Sequence, residues 1–121
     1  MTHYTAMTID LSTVTPFQKR VYEALLTIPA GKVTTYKFLA EAVGVRSFLA
    51  IGQALKRNPF APEVPCHRVI ASNLSIGGYS GQRTGRLINR KKNLLKKEGV
   101  VFVDDTLQDS RQVIRPQIEM P

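Results

Sequence analysis

The chain has 121 residues, 43% of them hydrophobic, and a single cysteine. This is a one-domain length with enough apolar content for one core, which excludes a disordered chain, and one thiol excludes an internal disulfide. Lys and Arg number 17 against 9 Asp and Glu, for a net charge of +8 and a pI near 10.0, a balance that points to polyanionic partners. The first ten residues, MTHYTAMTID, lack the basic and apolar regions of a secretory signal, and no apolar stretch approaches the ~20 residues that span a bilayer. The expectation is an intracellular protein away from membranes, nuclear in a eukaryote and cytoplasmic in a prokaryote.

Residues 1–14 read as a flexible arm. Thr15, Pro16 and Gln18 then form a capping-box signature at the start of a helix, with Phe17, Val21, Leu25 and Ile28 as its core stripe. Thr34 or Thr35 starts a short second helix through YKFLAEAV, with Phe38, Leu39 and Val43 inward, and Gly44 stops it. Ser47 caps a third helix, FLAIGQALKR, that ends before Asn58-Pro59. Two short helices joined by a glycine-containing turn predict a helix-turn-helix, with the third helix as the recognition helix. Its small residues Ala50, Gly52 and Ala54 permit close approach to a groove wall or to a packed neighbour.

FAPEVP reads as an extended loop, HRVIA as a short strand, Asn73 as a turn and SIGGYSG as a glycine-rich wing. A further amphipathic helix is predicted from Thr84 to Lys97, with Leu87, Ile88, Leu94 and Leu95 inward and Gly99 as its cap. VVFV reads as a last strand, and from Asp104 to the end at residue 121 the chain reads as a polar tail. Arg83, Arg86, Arg90, Lys91, Lys92, Lys96 and Lys97 follow one another without an acid among them. They form either a solvated helix face or a surface whose self-repulsion a phosphate backbone relieves.

The sole cysteine lies in EVPCHRVI. An isolated cysteine is most often a small buried hydrophobe. Here Pro65 fixes the approach to Cys66, one of the two histidines of the chain follows as His67, and Arg68 adds positive potential. The reactive species of a cysteine is the thiolate, and a histidine base in a basic surround raises its fraction at neutral pH. Adjacent residues of a strand point to opposite faces, so a working Cys-His pair needs a turn at Cys66. One Cys and two distant His cannot close a zinc shell, so no metal is expected. A cysteine protease would also need an oxyanion hole, which nothing in the sequence announces.

NPFAPEVPCHRVI, followed by IGGYSG and LLKKEG and preceded by FQKRVYEALLTIPAGKVTTY, closely resembles the C-terminal domain of O6-alkylguanine-DNA alkyltransferases from about Thr15 to Val103. The resemblance implies a mainly α fold with short strands, a single-domain winged helix-turn-helix over residues 15–103. It implies binding to double-stranded DNA containing O6-alkylguanine from the minor groove, by a monomer without cofactor. The damaged base is flipped out, and its alkyl group passes irreversibly to a cysteine. By the same likeness Cys66 is the nucleophile, His67 its base through a water, and Glu98 the residue that orients His67. Asn58 pins the turn between recognition helix and cysteine loop. Tyr36 donates to the guanine ring nitrogen N3, Tyr79 lines the pocket and the Ser80 amide meets O6. The carbonyls of Cys66 and Val69 take the exocyclic amine. Implied DNA contacts are Arg46, Leu49, Gln53, Lys56, Arg57, Arg68, Lys91 and Lys92.

Two departures from the family pattern stand out. Residues 1–14 are too few for the N-terminal domain that usually precedes this one, so that domain and any metal it holds are expected to be absent. The recognition-helix arginine that fills the gap left by the flipped base is replaced by Leu49, with Arg46 on the preceding turn as the other candidate. Small alkyltransferase-like proteins, which bind the lesion and recruit other repair machinery, provide a second reading, although they lack the cysteine. A winged-helix transcription regulator explains the charge but not Pro-Cys-His-Arg-Val.

Overall fold

The computed structural model describes residues 10–77 and 85–117. The first helix, α1 (Pro16–Leu25), begins as the sequence predicts. The Gln18 amide donates to Thr15 Oγ1 at 3.1 Å, and the Thr15 amide donates to Gln18 Oε1 at 3.0 Å. Val21, Leu25 and Ile28 are buried, and Phe17 is half-buried at the edge of the same stripe. Tyr22 is also buried. Its hydroxyl donates to the Ala54 carbonyl at 2.7 Å, and its ring meets Phe60 edge-on.

Strand β1 (Thr34–Thr35) leads directly into α2 (Tyr36–Val43), where Thr35 Oγ1 accepts from the Phe38 amide and caps the helix. Gly44 ends α2 in the left-handed region at φ 80°, a conformation that glycine adopts without a Cβ penalty. Ser47 caps α3 (Phe48–Lys56), accepting from the Ala50 amide at 3.0 Å. The axes of α2 and α3 meet at 98°, within the range of a helix-turn-helix. Ile51, Ala54 and Leu55 face inward, where α3 packs on α1 and α2. No single helix among the described residues is long and apolar enough to cross a membrane.

The strand predicted over HRVIA is shorter than expected. Cys66–Arg68 form a 3-10 turn, and only Val69–Ile70 extend, as β2, parallel to β1 with Thr34 opposite Val69. Helix α4 (Arg86–Lys97) starts two residues later than predicted, with Ile88, Lys91 and Leu95 buried and Leu87 and Leu94 only half-buried. Of the predicted wing, Ser75 to Gly77 are described, and the rest, with Tyr79 and Ser80, lies outside the described residues.

The expected polar tail is not a tail as far as residue 117. Strand β3 (Phe102–Val103) pairs antiparallel with β4 (Thr106–Leu107), and Leu107 is buried. Further on, the Val33 amide donates to the Gln112 carbonyl and the Ile114 amide returns the bond to Val33. The Arg115 guanidinium lies 4.3 Å above the Phe38 ring and bonds Glu41 at 3.2 Å. Backbone pairing, which polar side chains do not reveal, holds this segment against β1 and α2. The architecture is otherwise as read from sequence: mainly helical, with short strands and a helix-turn-helix at its centre.

The Tyr22 hydroxyl joins α1 to the recognition helix through an interior bond. Tyr22→Phe keeps the ring and leaves the buried Ala54 carbonyl without this donor, a loss of about 1–3 kcal/mol. Urea denaturation should show that loss with an unchanged slope. An unchanged midpoint would mean the bond contributes nothing net.

Candidate functional site

Cys66 sits at the start of the 3-10 turn that the Cys-His adjacency required, and it is buried. Its amide donates to the Val64 carbonyl at 2.8 Å, and its carbonyl accepts from the Val69 amide. Asn58 holds the loop from the other side. Its Nδ2 donates to the Val64 carbonyl and its Oδ1 accepts from the Phe60 amide, both at 2.8 Å. The end of the recognition helix and the approach to Cys66 are thereby fixed to one another.

His67, the next residue, is also buried. Its Nε2 lies 3.1 Å from Glu98 Oε2. A carboxylate only accepts, so Nε2 carries the proton and Nδ1 keeps its lone pair. That Nδ1 is buried and has no hydrogen-bond partner among the described residues. Burial pushes the imidazole below its ordinary value of 6.5; Glu98 works against this, while the charges of Arg68 and Lys91 add to it. The outcome is a neutral histidine at pH 7, held in one tautomer and able to accept a proton. For Glu98 burial acts upward, but the hydrogen bonds and charges of Arg68 and His67 outweigh it and hold the carboxyl below its usual range.

Arg68, expected as a DNA contact, is turned inward in the structure. Its Nε donates to Glu98 Oε1 at 2.9 Å, Nη2 to Glu98 Oε2 at 2.7 Å, and Nη1 to the Ile28 carbonyl at 2.7 Å. The guanidinium is committed inside the protein because a half-buried carboxylate needs a bidentate partner. Lys91 is a second correction. It is fully buried, and its ammonium donates to the Val69 carbonyl at 2.7 Å and to the Ile76 carbonyl at 2.5 Å, so it cannot reach a phosphate. Lys92 is partly exposed and pairs with Asp105 at 2.5 Å.

Val69, one of the carbonyls expected to take the exocyclic amine, therefore already accepts one bond, as does Cys66; each keeps a second lone pair. Tyr36 opens α2 against the base of the wing. A Cβ placed on Gly77, at φ 70°, would lie 3.4 Å from the Tyr36 ring, 3.6 Å from Lys91 Nζ and 3.3 Å from the Ala71 nitrogen. Glycine at 77 lets the backbone approach Tyr36 and Lys91 this closely.

On α3, Leu49, Gln53 and Lys56 share the face turned away from the core, with Arg57 following and Arg46 on the turn before. All but Gln53, which is half-buried, are exposed. Leu49 is 74% exposed and its neighbour Phe48 53%, unusual for large apolar side chains. Phe48 escaped the sequence reading because its adjacency to Leu49 also suits a buried helix start. Arg86, Arg90 and Lys97 follow at helical spacing on the outer face of α4 and, with Asn89, Asn93 and Leu94, line a groove of about 450 Å³.

A helix-turn-helix, a buried cysteine turn and a histidine oriented by a carboxylate define a class that known proteins share. The 6-O-methylguanine DNA methyltransferase DNA-binding domain matches residues 16–100, and the chain belongs to that family. A methylated-DNA–protein-cysteine methyltransferase of Saccharolobus islandicus is 47% identical over 92 residues, 76% of this chain and 56% of the relative. One from Mycobacterium leprae is 47% identical over 85 residues, 69% of this chain and 48% of the relative. The chain thus spans about half the length of the curated relatives it matches. Among solved structures, Mycobacterium tuberculosis OGT in complex with DNA has a TM-score of 0.57 at 44% identity, covering 70% of this chain and 50% of that one. Schizosaccharomyces pombe Atl1 in complex with damaged DNA containing O6-carboxymethylguanine has a TM-score of 0.70 at 33% identity, covering 83% of this chain and 95% of that one.

The His67–Glu98 pair has a pH signature. The folded-state value of His67 lies below its unfolded value, so the unfolded chain takes up the proton first and stability falls as pH drops through 6.5. Glu98, also depressed, adds a further loss below 4.5, as pH falls through its folded value. Melting temperatures across this range should show both losses, and Glu98→Gln should remove the more acidic one. A variant that keeps the whole acid limb would take Glu98 out of the linkage.

Proposed function

We propose that this protein repairs DNA by moving the alkyl group of an O6-alkylguanine, flipped out of the duplex from the minor groove, onto Cys66. The observation that carries this reading is the buried His67, hydrogen-bonded to Glu98, immediately after the only thiol of the chain. Family membership and the names of the relatives support it. A water relays the thiol proton to His67 Nδ1. The thiolate attacks the alkyl carbon, so that the S–C bond forms as the C–O6 bond breaks. The bond pair passes onto guanine, where Tyr36 donates a hydrogen bond at N3. The guanine anion then takes a proton from solvent as His67 returns its own. Tyr79 and the Ser80 amide complete the base pocket, and Arg46, Gln53, Lys56, Arg57 and Lys92 face the DNA.

A thioether is a poor leaving group, so the reaction stops after one event. Intact mass after mixing with excess DNA containing O6-methylguanine should rise by one methyl group, on Cys66, at one equivalent per chain. Cys66→Ser should lose transfer and keep lesion binding. Atl1, of which 95% is covered, favours a second reading as a lesion-binding protein that recruits other machinery. Tight lesion binding by the wild type with no change in mass would establish that reading instead.

Leu49, with Phe48 beside it, is the apolar wedge that enters the stack at the first turn of α3. It fills the gap but offers no hydrogen bond to the orphaned partner base. Flipping costs a few kcal/mol, and a smaller flipped fraction weakens apparent affinity in proportion. Leu49→Arg should therefore speed repair of duplex lesions several-fold and leave the reaction with free O6-benzylguanine unchanged. Equal rates on duplex would show that Leu49 does not occupy the gap.

A further inference from the structure

Lys91 belongs neither to the His67–Glu98 relay nor to the DNA face. It projects from the inner side of α4 on the same stripe as Ile88 and Leu95. A fully buried ammonium is costly unless something compensates it. Two carbonyls do so in part, Val69 on β2 and Ile76 at the base of the wing. Carbonyls satisfy donors but do not neutralise a charge. The 3-10 turn that carries Cys66 packs against α4, and the Val69 residue held by Lys91 donates its own amide to the Cys66 carbonyl. The ammonium and the thiol are electrostatic neighbours: burial pushes Lys91 down to about 7, and a negative Cys66 acts in the opposite direction.

Among the described residues, other ionisable groups near the cysteine turn are already accounted for. Tyr22, facing it from α1, is pushed up to about 12 by burial and stays neutral. Glu98 and Arg68 satisfy one another, and His67 is neutral. Tyr36, on α2, comes near Lys91 across Gly77.

We infer that Lys91 is a positioning residue for the transfer: its buried ammonium is the counter-charge of the Cys66 thiolate, and its two carbonyl bonds tie β2 at Val69 to Ile76. This rests on Cys66 as the alkyl acceptor. The ammonium acts through the charge on sulfur and through the Val69 carbonyl it holds.

Cys66 is the only thiol, so thiolate absorbance near 240 nm reports it alone. In Lys91→Met the midpoint of that titration should rise by about 1–3 pH units, the effect of losing an opposite charge at close range. Iodoacetamide alkylation at neutral pH should slow about tenfold for each unit of that rise. A folded variant with an unmoved midpoint overturns the inference. If Lys91→Met fails to fold, the wild type decides. With lysine labelled at Nζ, NMR follows the Lys91 titration before and after Cys66 is capped with iodoacetamide. The midpoint should fall once the sulfur can no longer carry charge, and an unchanged midpoint overturns the pairing. Capping needs no DNA. A wild type that accepts iodoacetamide but no methyl group from lesion DNA therefore sinks the transfer reading and leaves the ion pair standing.

Discussion

The carboxylate of Glu98 is the interaction on which the site depends. It ends α4, accepts from the only histidine beside the thiol, and takes two bonds from Arg68. Arg68 in turn reaches the Ile28 carbonyl just past α1. One acidic group thus fixes the cysteine turn against two helices and orients the His67 ring. Charge-assisted bonds of this kind hold geometry better than neutral ones because they are shorter and stronger.

Much of this was legible because it is local. The Thr15, Thr35 and Ser47 caps, the left-handed Gly44 and the end of α3 before Asn58-Pro59 are determined by side-chain chemistry within a few residues. The turn at Cys66 followed from the alternation of a strand, which would have separated Cys66 from His67. What escaped the reading is nonlocal. Pairing of Val33 with residues 112–114 joins segments far apart in the chain, and no local pattern announces it. The misreading of Lys91 is different in kind. A run of basic residues looks like one surface, yet a helix distributes it around its circumference. Ile88, Lys91 and Leu95 fall on one stripe, so the phase of the apolar residues already placed Lys91 inside.

The exposed basic residues have their own logic. With Arg68 and Lys91 withdrawn into the interior, part of the positive charge left at the surface lies on α3 and α4. Lys56 and Arg57 end the recognition helix, while Arg86, Arg90 and Lys97 line the outer face of α4. Contacts of this type are sequence-independent and salt-sensitive.

Two features of α4 break the rules of an ordinary helix. Glu98 places a negative charge at the negative end of the helix dipole, and Lys91 places a cation on the buried stripe. Each is unfavourable by itself. They lie seven residues apart, about 10 Å along the axis and on the same face, since two turns nearly complete the helical period. The segment from Cys66 to Val69 lies across that interval, with His67 and Arg68 answering the anion and the Val69 carbonyl answering the cation. The two exceptions therefore compensate within one short piece of backbone, the piece that carries the thiol. A helix selected only for stability would keep neither charge. Retaining both ties the segment that carries the thiol to one face of α4 at two points, by an anion at one and a cation at the other.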